Sequence, residues 1–171
     1  MTAFHGLIEE QIPRPRRYAR ALTRNLARSD DLAQDTLARA IAKEHLWQPG
    51  TNLRAWLFTL MHNQHVNNVR RTAASLTVEL DAVSSSLMAT TDPTSSRQPR
   101  ELDRALSQLP DEQRQTILLV GPEGMSYQEA AEIFNVPVGT VRSRLSRGRD
   151  NLSRLMDLPE RAGTGPTELA A

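Results

Sequence analysis

The 171-residue sequence has no cysteine, few aromatic residues and no long apolar run, and each absence excludes a class of protein. A chain without cysteine forms no disulfide, thiolate metal site or cysteine nucleophile, which fits a reducing cytoplasm. Aromatic residues make up only 4% of the chain, so aliphatic side chains must pack the core, and this favours helices over a β-sandwich. No apolar run approaches the ~20 residues of a membrane span, and the N-terminus lacks the apolar core of a signal peptide. We therefore expect an all-α cytoplasmic protein without membrane insertion.

The formal net charge of +1 hides two basic segments separated by an acidic one. Residues 1–72 hold eleven Lys or Arg against six Asp or Glu, whereas residues 73–98 carry a net charge of −2. Near the C-terminus, five arginines between Arg142 and Arg154 face a single acid, Asp150. Two basic segments indicate two contacts with a polyanion, although solvated helix faces would give the same pattern.

Hydrophobic periodicity predicts two groups of helices. In the first group, Asp30 and Asp31 stand where acidic residues favour the start of a helix. A longer amphipathic helix around Trp56 is predicted to reach about Arg71. The helix that begins near Asp30 has an apolar stripe made of Leu32, Leu37, Ala40 and Ile41.

A composition change separates the two groups. Residues 73–99 are rich in Ser, Thr, Ala and Pro and have almost no periodicity, which is typical of a flexible linker. Such a linker would let the two domains move independently. We predict a first domain at 1–72, a linker at 73–99, a second domain at 100–157 and a flexible tail at 158–171.

The segment from Ser126 to Leu145 has the pattern of a helix-turn-helix. Ser126 and Glu129 form a capping box, Ala131 is small enough for two helices to cross closely, and Asn135 tolerates positive φ in the turn. The second helix would enter the DNA major groove, where arginine binds guanine and backbone amides favour phosphate. The alternative is a helical hairpin with a solvated basic face. The candidate contacts of this helix are Thr140, Arg142, Ser143, Arg144, Ser146, Arg147 and Arg149.

The helix around Trp56 has a polar face opposite its apolar stripe, with Thr59, Asn63, Asn67 and Arg70 at helical spacing. The loop that precedes it contains Trp47. A polar, amide-rich face beside an aromatic loop suits separated single strands, whose bases need stacking and hydrogen bonds at their edges. The alternative is that these Asn residues are simply solvated. We interpret Trp56 itself as a core residue.

Three segments in this order resemble the extracytoplasmic-function (ECF) sigma factors, the smallest group of the sigma-70 family. Residues 30–40, DDLAQDTLARA, resemble the region 2 helix that binds the clamp helices of the largest RNA polymerase subunit. Residues 50–60, GTNLRAWLFTL, resemble the start of the helix that reads the −10 promoter element. Residues 109–114, LPDEQR, and the helix-turn-helix resemble region 4, which reads the −35 element. The segments 50–52 and 120–124 resemble the alphaproteobacterial general-stress subgroup in particular.

The resemblance implies two small helical domains, a region 2 bundle and a region 4 helix-turn-helix, joined by a flexible linker. It implies a function in promoter recognition and melting for a stress regulon, without cofactor, metal or catalytic residues. The implied partners are core RNA polymerase, through its clamp helices and flap, promoter DNA, and an anti-sigma protein. The predicted linker is long enough for an anti-sigma protein to bind between the domains. The implied polymerase-binding residues are Asp31, Gln34, Asp35 and Ala38. By analogy the family's base-capture pocket falls on residues 47–52 and Asn63. Together with the polar face of the helix around Trp56, this gives the predicted −10 residues Trp47, Thr51, Asn52, Asn63, Asn67, Arg70 and Arg71.

The sequence departs from the family pattern at two places. Met61 and His62 replace the small or aliphatic pair that usually precedes the Asn at position 63. Phe134 and Asn135 stand where many members have an aliphatic residue and Gly. The first departure affects which −10 base is expected to be captured. The second is expected to change slightly the angle between the two helices of the helix-turn-helix.

Three other functions fit the sequence less well. A response regulator would need a receiver domain, and residues 1–72 show no alternation of strands and helices. A decoy that binds only an anti-sigma protein would be expected to lose Arg142, Arg144 and Arg147, which are present. An enzyme is the weakest alternative, because His62 and His65 lack a third ligand and read as surface or groove residues.

Overall fold

The computed structural model describes residues 3–78 and 97–157, and within these ranges all regular elements are helices, as expected. None of the described helices is both long and apolar enough to cross a bilayer. The predicted tail, and residues 79–96 of the predicted linker, lie outside the described residues. The N-terminal half contains α1 (Ala3–Gln11), α2 (Pro13–Thr23), α3 (Leu26–Ala42), a 3₁₀ helix (Glu44–Leu46) and α4 (Leu53–Val78). The C-terminal half contains α5 (Arg97–Gln108), α6 (Asp111–Val120), α7 (Tyr127–Phe134) and α8 (Val138–Leu155).

Helix α3 begins before the predicted position. Asn25 has an extended backbone, and its side-chain oxygen accepts a hydrogen bond from the Arg28 amide at 2.9 Å. This is the geometry of an N-cap, which satisfies one of the free amides of the first turn. Asp30 and Asp31 therefore lie inside the helix, and the prediction that they mark its start was wrong.

Helix α4 is also longer than predicted and continues past Arg71 to Val78. The segment that extends it, TAASLTV, contains neither proline nor glycine, so nothing in it interrupts helical hydrogen bonding. Helix α5 likewise begins at Arg97 rather than at residue 100. Both ends of the segment predicted as linker are therefore helical.

Aliphatic and aromatic side chains form two buried clusters. The smaller one lies in the N-terminal half, where Phe4, Ile8 and Leu57 are buried and Trp56 packs against them, as interpreted from the sequence. The larger cluster begins at Tyr18 and Phe58, whose rings meet edge to face at 5.2 Å. It continues without interruption into the C-terminal half, through Leu109, Leu118, Leu119, Ile133, Phe134 and Val141.

The two halves therefore pack against each other, with α2 against α6 and α4 against α7. Polar contacts surround the apolar centre of this interface. Arg17 on α2 binds Glu123 in the loop after α6, and the Glu123 side chain is only 1% exposed. We call this packing of the two halves the closed arrangement; the sequence pattern does not predict it.

Candidate nucleic-acid interface

The helix-turn-helix of the C-terminal half has the predicted local geometry. The Ser126 hydroxyl accepts from the Glu129 amide at 3.1 Å, and the Glu129 carboxylate accepts from the Ser126 amide at 2.8 Å. Asn135 is left-handed, with φ of 54° and ψ of 51°, and Ala131 is 2% exposed. The capping box starts α7, and the left-handed residue ends it so that α8 can cross over α7.

Helix α8 has a buried face and a basic solvent face. Val141, Leu145 and Gly148 are buried against α6 and α7. A Cβ at Gly148 would lie 2.9 Å from the Ile117 side chain, so glycine permits a close approach of α6 and α8. Thr140 and Ser143 are half-buried. The exposed candidates of the predicted −35 set are Arg142, Ser146, Arg147 and Arg149.

Arg144 is set apart from the other arginines of α8. Its guanidinium binds the Glu112 carboxylate on α6 at 3.1 Å, and its side chain is 22% exposed. The side chain therefore runs along the junction between α6 and α8. In this arrangement Arg144 stabilises the packing of the two helices.

The predicted −10 residues of α4 lie together on one solvent-facing surface. Asn63, Asn67, Arg70 and Arg71 are all exposed. Trp47 differs, since it is half-buried and its ring packs on Phe4 at a centroid distance of 5.3 Å. One face of this indole is therefore occupied by the core, so Trp47 supports the loop structurally in addition to any stacking on a base.

The loop before α4 is held by its own hydrogen bonds and by the C-terminal half. The Thr51 hydroxyl donates to the Gln48 carbonyl at 2.7 Å. The side-chain oxygen of Asn52 accepts a hydrogen bond from the Ala55 backbone amide at 3.1 Å and so caps the start of α4. The Asn52 side-chain amide donates to Glu129 at 2.6 Å. An anionic Glu129 fits this role, because the Ser126 backbone amide, above all, lowers the pKa of its carboxyl. The closed arrangement thus engages a predicted base-contacting residue.

Two histidines of α4 lie in the interface between the halves. Gln115 donates to Asp111 at 2.6 Å through its amide nitrogen, so its oxygen is free to accept from His62 Nδ1 at 2.8 Å. The His62 ring also meets Phe134 edge to face at 5.0 Å, so the two departures from the family pattern contact each other. His65 Nε2 donates to both oxygens of Asp111 at 3.1 Å.

His65 is 7% exposed, so the interpretation of this residue as a surface or groove side chain was wrong. Its partner Asp111 is held ionised. Burial by itself would raise the pKa of Asp111, but the hydrogen bonds and charge of His65, with bonds from Arg114 and Gln115, hold it far below its usual range. The interface therefore contains a fixed negative charge against α4.

The contribution of His62 to the closed arrangement is expected to become unfavourable as the pH falls below about 6.5, because burial lowers the pKa of this histidine. In an open form the pKa of His62 returns to its ordinary value, so the open form takes up a proton that the closed form resists. The open population then rises by at most about tenfold per pH unit. The charged groups that face His62 are His65, Asp111 on α6 and Arg144 on α8.

The measurement is the distance between two dyes, one attached to the cysteine of Glu9→Cys and the other to that of Glu132→Cys. Both positions are exposed, and the chain has no other cysteine that a dye could label. Its pH profile between 5.5 and 7.5 should flatten in the His62→Gln variant, since glutamine does not titrate. A profile that His62→Gln leaves unchanged would show that another group controls the interface. His45→Gln, at an exposed histidine outside this interface, serves as the matched control and should leave the profile unchanged.

The predicted polymerase-binding residues lie on the outer face of α3. Asp31, Gln34, Asp35 and Ala38 are exposed, and the only side-chain hydrogen bond of this set among the described residues is one of 3.3 Å from Gln64 to Asp35. Ile41 was predicted to join the inner apolar stripe, but it is 46% exposed. It extends the outer face by one turn and gives that face an apolar residue.

Comparisons with known proteins agree with this architecture. A family model described as the Sigma2 domain of PhyR matches residues 8–62. A second model, described as Sigma-70, region 4, matches residues 100–152. The two matches fall on the N-terminal and C-terminal halves, respectively.

Curated relatives and solved structures match both halves together. The chain is 36% identical to the ECF RNA polymerase sigma factor EcfG of Rhodopseudomonas palustris, over 92% of this chain and 87% of the relative. It is similar to the sigma factor RpoE of Bartonella quintana, solved in complex with the anti-sigma factor NepR, with 31% identity and a TM-score of 0.83. That superposition covers 94% of this chain and all of the other. The structure of CnrH in complex with the cytosolic domain of CnrY is 26% identical, with a TM-score of 0.65 over 91% of this chain and 88% of that one.

Proposed function

The chain belongs to the ECF RNA polymerase sigma factors, and on this premise we propose which of its surfaces reads each promoter element and which binds the polymerase. A sigma factor of this family directs promoter recognition by RNA polymerase in bacterial transcription initiation. Its two DNA contacts correspond to the two halves of the chain. The assignment depends on which side chains each half leaves exposed.

The C-terminal half reads the −35 element through α8. The observation that carries this assignment is that Arg142, Arg147 and Arg149 are exposed on a helix whose other face is buried in a helix-turn-helix. Exposed arginines on such a helix reach guanine edges and phosphates in the major groove. Arg144 is assigned a structural role because its partner is Glu112.

The N-terminal half captures and separates the −10 element. Asn52 and Asn63 supply amide groups that can bond the edges of an unstacked base, and Asn67, Arg70 and Arg71 continue the polar surface along α4. Asn52 is bound to Glu129 in the closed arrangement. The two halves must therefore separate at this contact before Asn52 can reach DNA.

The outer face of α3 binds core RNA polymerase. Asp31, Asp35 and Ala38 lie on successive turns of α3, and Ile41 adds an exposed apolar side chain. A helix with this stripe of acidic and apolar groups is suited to lie against a basic, helical partner surface. We assign the largest-subunit clamp helices as that partner, and the flap as the partner of the C-terminal half.

An anti-sigma protein holds the chain in an inactive state and releases it for a stress regulon. Two observations support this part of the proposal. The chain is similar to a sigma factor that was solved in complex with its anti-sigma factor. The two halves of the chain are also arranged like those of that sigma factor, since a single superposition covers 94% of this chain. The similarity to EcfG supports a general-stress role. Such a partner would stabilise the closed arrangement in preference to the open one.

Core RNA polymerase supplemented with this chain should produce promoter-specific run-off transcripts, and the free chain should bind duplex DNA only weakly. Each half offers few contacts, and the polymerase is needed to hold both halves open and raise their effective concentration. The test selects transcribed promoters from a random library and aligns the enriched −35 and −10 sequences. Tight, specific binding by the free chain, with no polymerase-dependent transcript, would contradict the proposal.

A further inference from the structure

Helix α2 carries a concentration of arginine that neither proposed DNA contact uses. Its eleven residues include four arginines and no acid, and Arg24 follows at its end. Pro15, Tyr18, Ala19 and Leu22 are buried, so the basic side chains lie on the opposite face. We call this face the arginine stripe; it consists of Arg16, Arg17, Arg20 and Arg24.

The stripe already binds oxyanions in the closed arrangement, and they come from the C-terminal half. Arg17 donates through Nε and Nη2 to one Glu123 oxygen at 3.0 and 2.8 Å. Arg24 donates in the same way to one Asp103 oxygen at 3.3 and 3.1 Å. Two nitrogens directed at one oxygen are a geometry that phosphate oxygens accept equally well.

The middle of the stripe carries positive charge that no ion pair neutralises within the described residues. Arg16 and Arg20 are exposed, and within 3–78 and 97–157 neither forms an ion pair. Opening the two halves would also free Arg17 and Arg24. Four cations would then lie along about 12 Å of helix axis, a length over which duplex DNA presents about seven phosphate charges.

We propose that the arginine stripe is a third DNA contact, which binds backbone phosphates of the promoter duplex once Glu123 and Asp103 have withdrawn. This inference rests on the proposed function, because promoter binding brings the duplex to the chain. The surface of α2 favours a nucleic-acid backbone over a protein partner. Its large apolar residues are buried, whereas protein interfaces concentrate their binding energy in exposed aromatic and aliphatic anchors.

The carboxylates of the C-terminal half and the DNA phosphates then compete for the same guanidinium groups. Arg17 is the more informative example, because its partner Glu123 is 1% exposed while the Arg17 side chain is 58% exposed. When the halves separate, the arginine is already at the surface and only the acid must leave. Closing the protein therefore removes two phosphate-binding groups from the stripe, and promoter binding returns them.

The test compares polymerase holoenzymes that contain wild-type chain, the Arg16→Gln/Arg20→Gln variant, or the charge-matched control Lys43→Gln/Arg104→Gln. All four residues are exposed, and the control positions lie outside every surface assigned above. Promoter affinity is measured between 50 and 200 mM salt. The magnitude of the slope of log affinity against log salt should fall by about 1.8 in the stripe variant, which is 0.9 for each lost phosphate contact. It should not change in the control, and promoter choice should be the same for all three.

Equal slopes for the stripe variant and the control would overturn the proposal. A stripe variant that binds core polymerase more weakly in the absence of DNA would also overturn it, because the stripe would then contact an acidic protein surface. Circular dichroism confirms that each variant is folded. The proposed function is judged separately, since its failure would appear as absent promoter-specific transcription by wild-type holoenzyme.

Discussion

Replacing Asp35 with arginine should reduce the affinity for core RNA polymerase by about 2–4 kcal/mol, which is roughly 30- to 1,000-fold. Asp35 lies at the centre of the exposed face of α3. A charge reversal there sets a cation against a partner surface that the acidic residues of α3 complement, and like charges at an interface cost several kcal/mol. The free energy of unfolding should change little, because within the described residues the side chain of Asp35 loses just one hydrogen bond, from Gln64 at 3.3 Å.

The control is Glu9→Arg, an equal charge reversal at an exposed position of α1. Affinity is measured by competition with a labelled sigma factor for core polymerase, and stability by urea denaturation. If the Asp35→Arg variant unfolds like wild type and still competes fully, α3 is not the polymerase contact. If Glu9→Arg has an equal effect, net charge and not the α3 face controls the affinity.

The local structure of the C-terminal half was predictable because its signals lie close together in the sequence. Ser126 and Glu129 cap each other, and Asn135 takes the left-handed turn within the same short segment. Helix α3 was harder to delimit because two cap signals compete near its start. Asn25, and not Asp30 or Asp31, caps the helix, because its backbone is extended and its side-chain oxygen accepts a hydrogen bond from the Arg28 amide.

The interface between the halves could not be predicted, because its partners are far apart in the sequence. Arg17 and Glu123 are separated by 106 residues, and His65 and Asp111 by 46. A single buried acid or histidine gives no periodic signal, and its burial depends on a partner brought in by the tertiary fold. Composition pointed instead to an open pair of domains on a linker.

The candidate site was predictable as a region but not residue by residue. Arg144 and Arg142 are the same residue type two positions apart, and in the structure the bond to Glu112 on α6 distinguishes them. Helical spacing offered a partial signal, since position 144 lies three residues after Val141 and four before Gly148, both of which are buried. The partial burial of Trp47 was equally hard to predict. Its ring packs on Phe4 of α1, which is far from the loop in the sequence.

Arg142→Ala or Arg147→Ala should each cost about 1–3 kcal/mol of discrimination at one base pair of the −35 element, a loss of roughly 5- to 150-fold. Both side chains are exposed on α8, outside the buried face formed by Val141 and Leu145, so each can form two hydrogen bonds with a guanine. Arg149→Ala should act differently. It should weaken all promoters alike and lower the magnitude of the salt slope by about 0.9, as expected for a phosphate contact.

Arg144→Ala is the matched control on the same helix. Its guanidinium binds Glu112, so its loss should reduce the stability of the C-terminal half by up to about 1 kcal/mol while promoter choice stays unchanged. The measurement is transcription by each holoenzyme from a library randomised across the −35 element. A base preference altered by Arg144→Ala, and unaltered by Arg142→Ala and Arg147→Ala, would show that a different face of α8 enters the groove. Since the buried face is fixed by Val141, Leu145 and Gly148, such a result would require α8 to roll against α6 when the protein binds DNA.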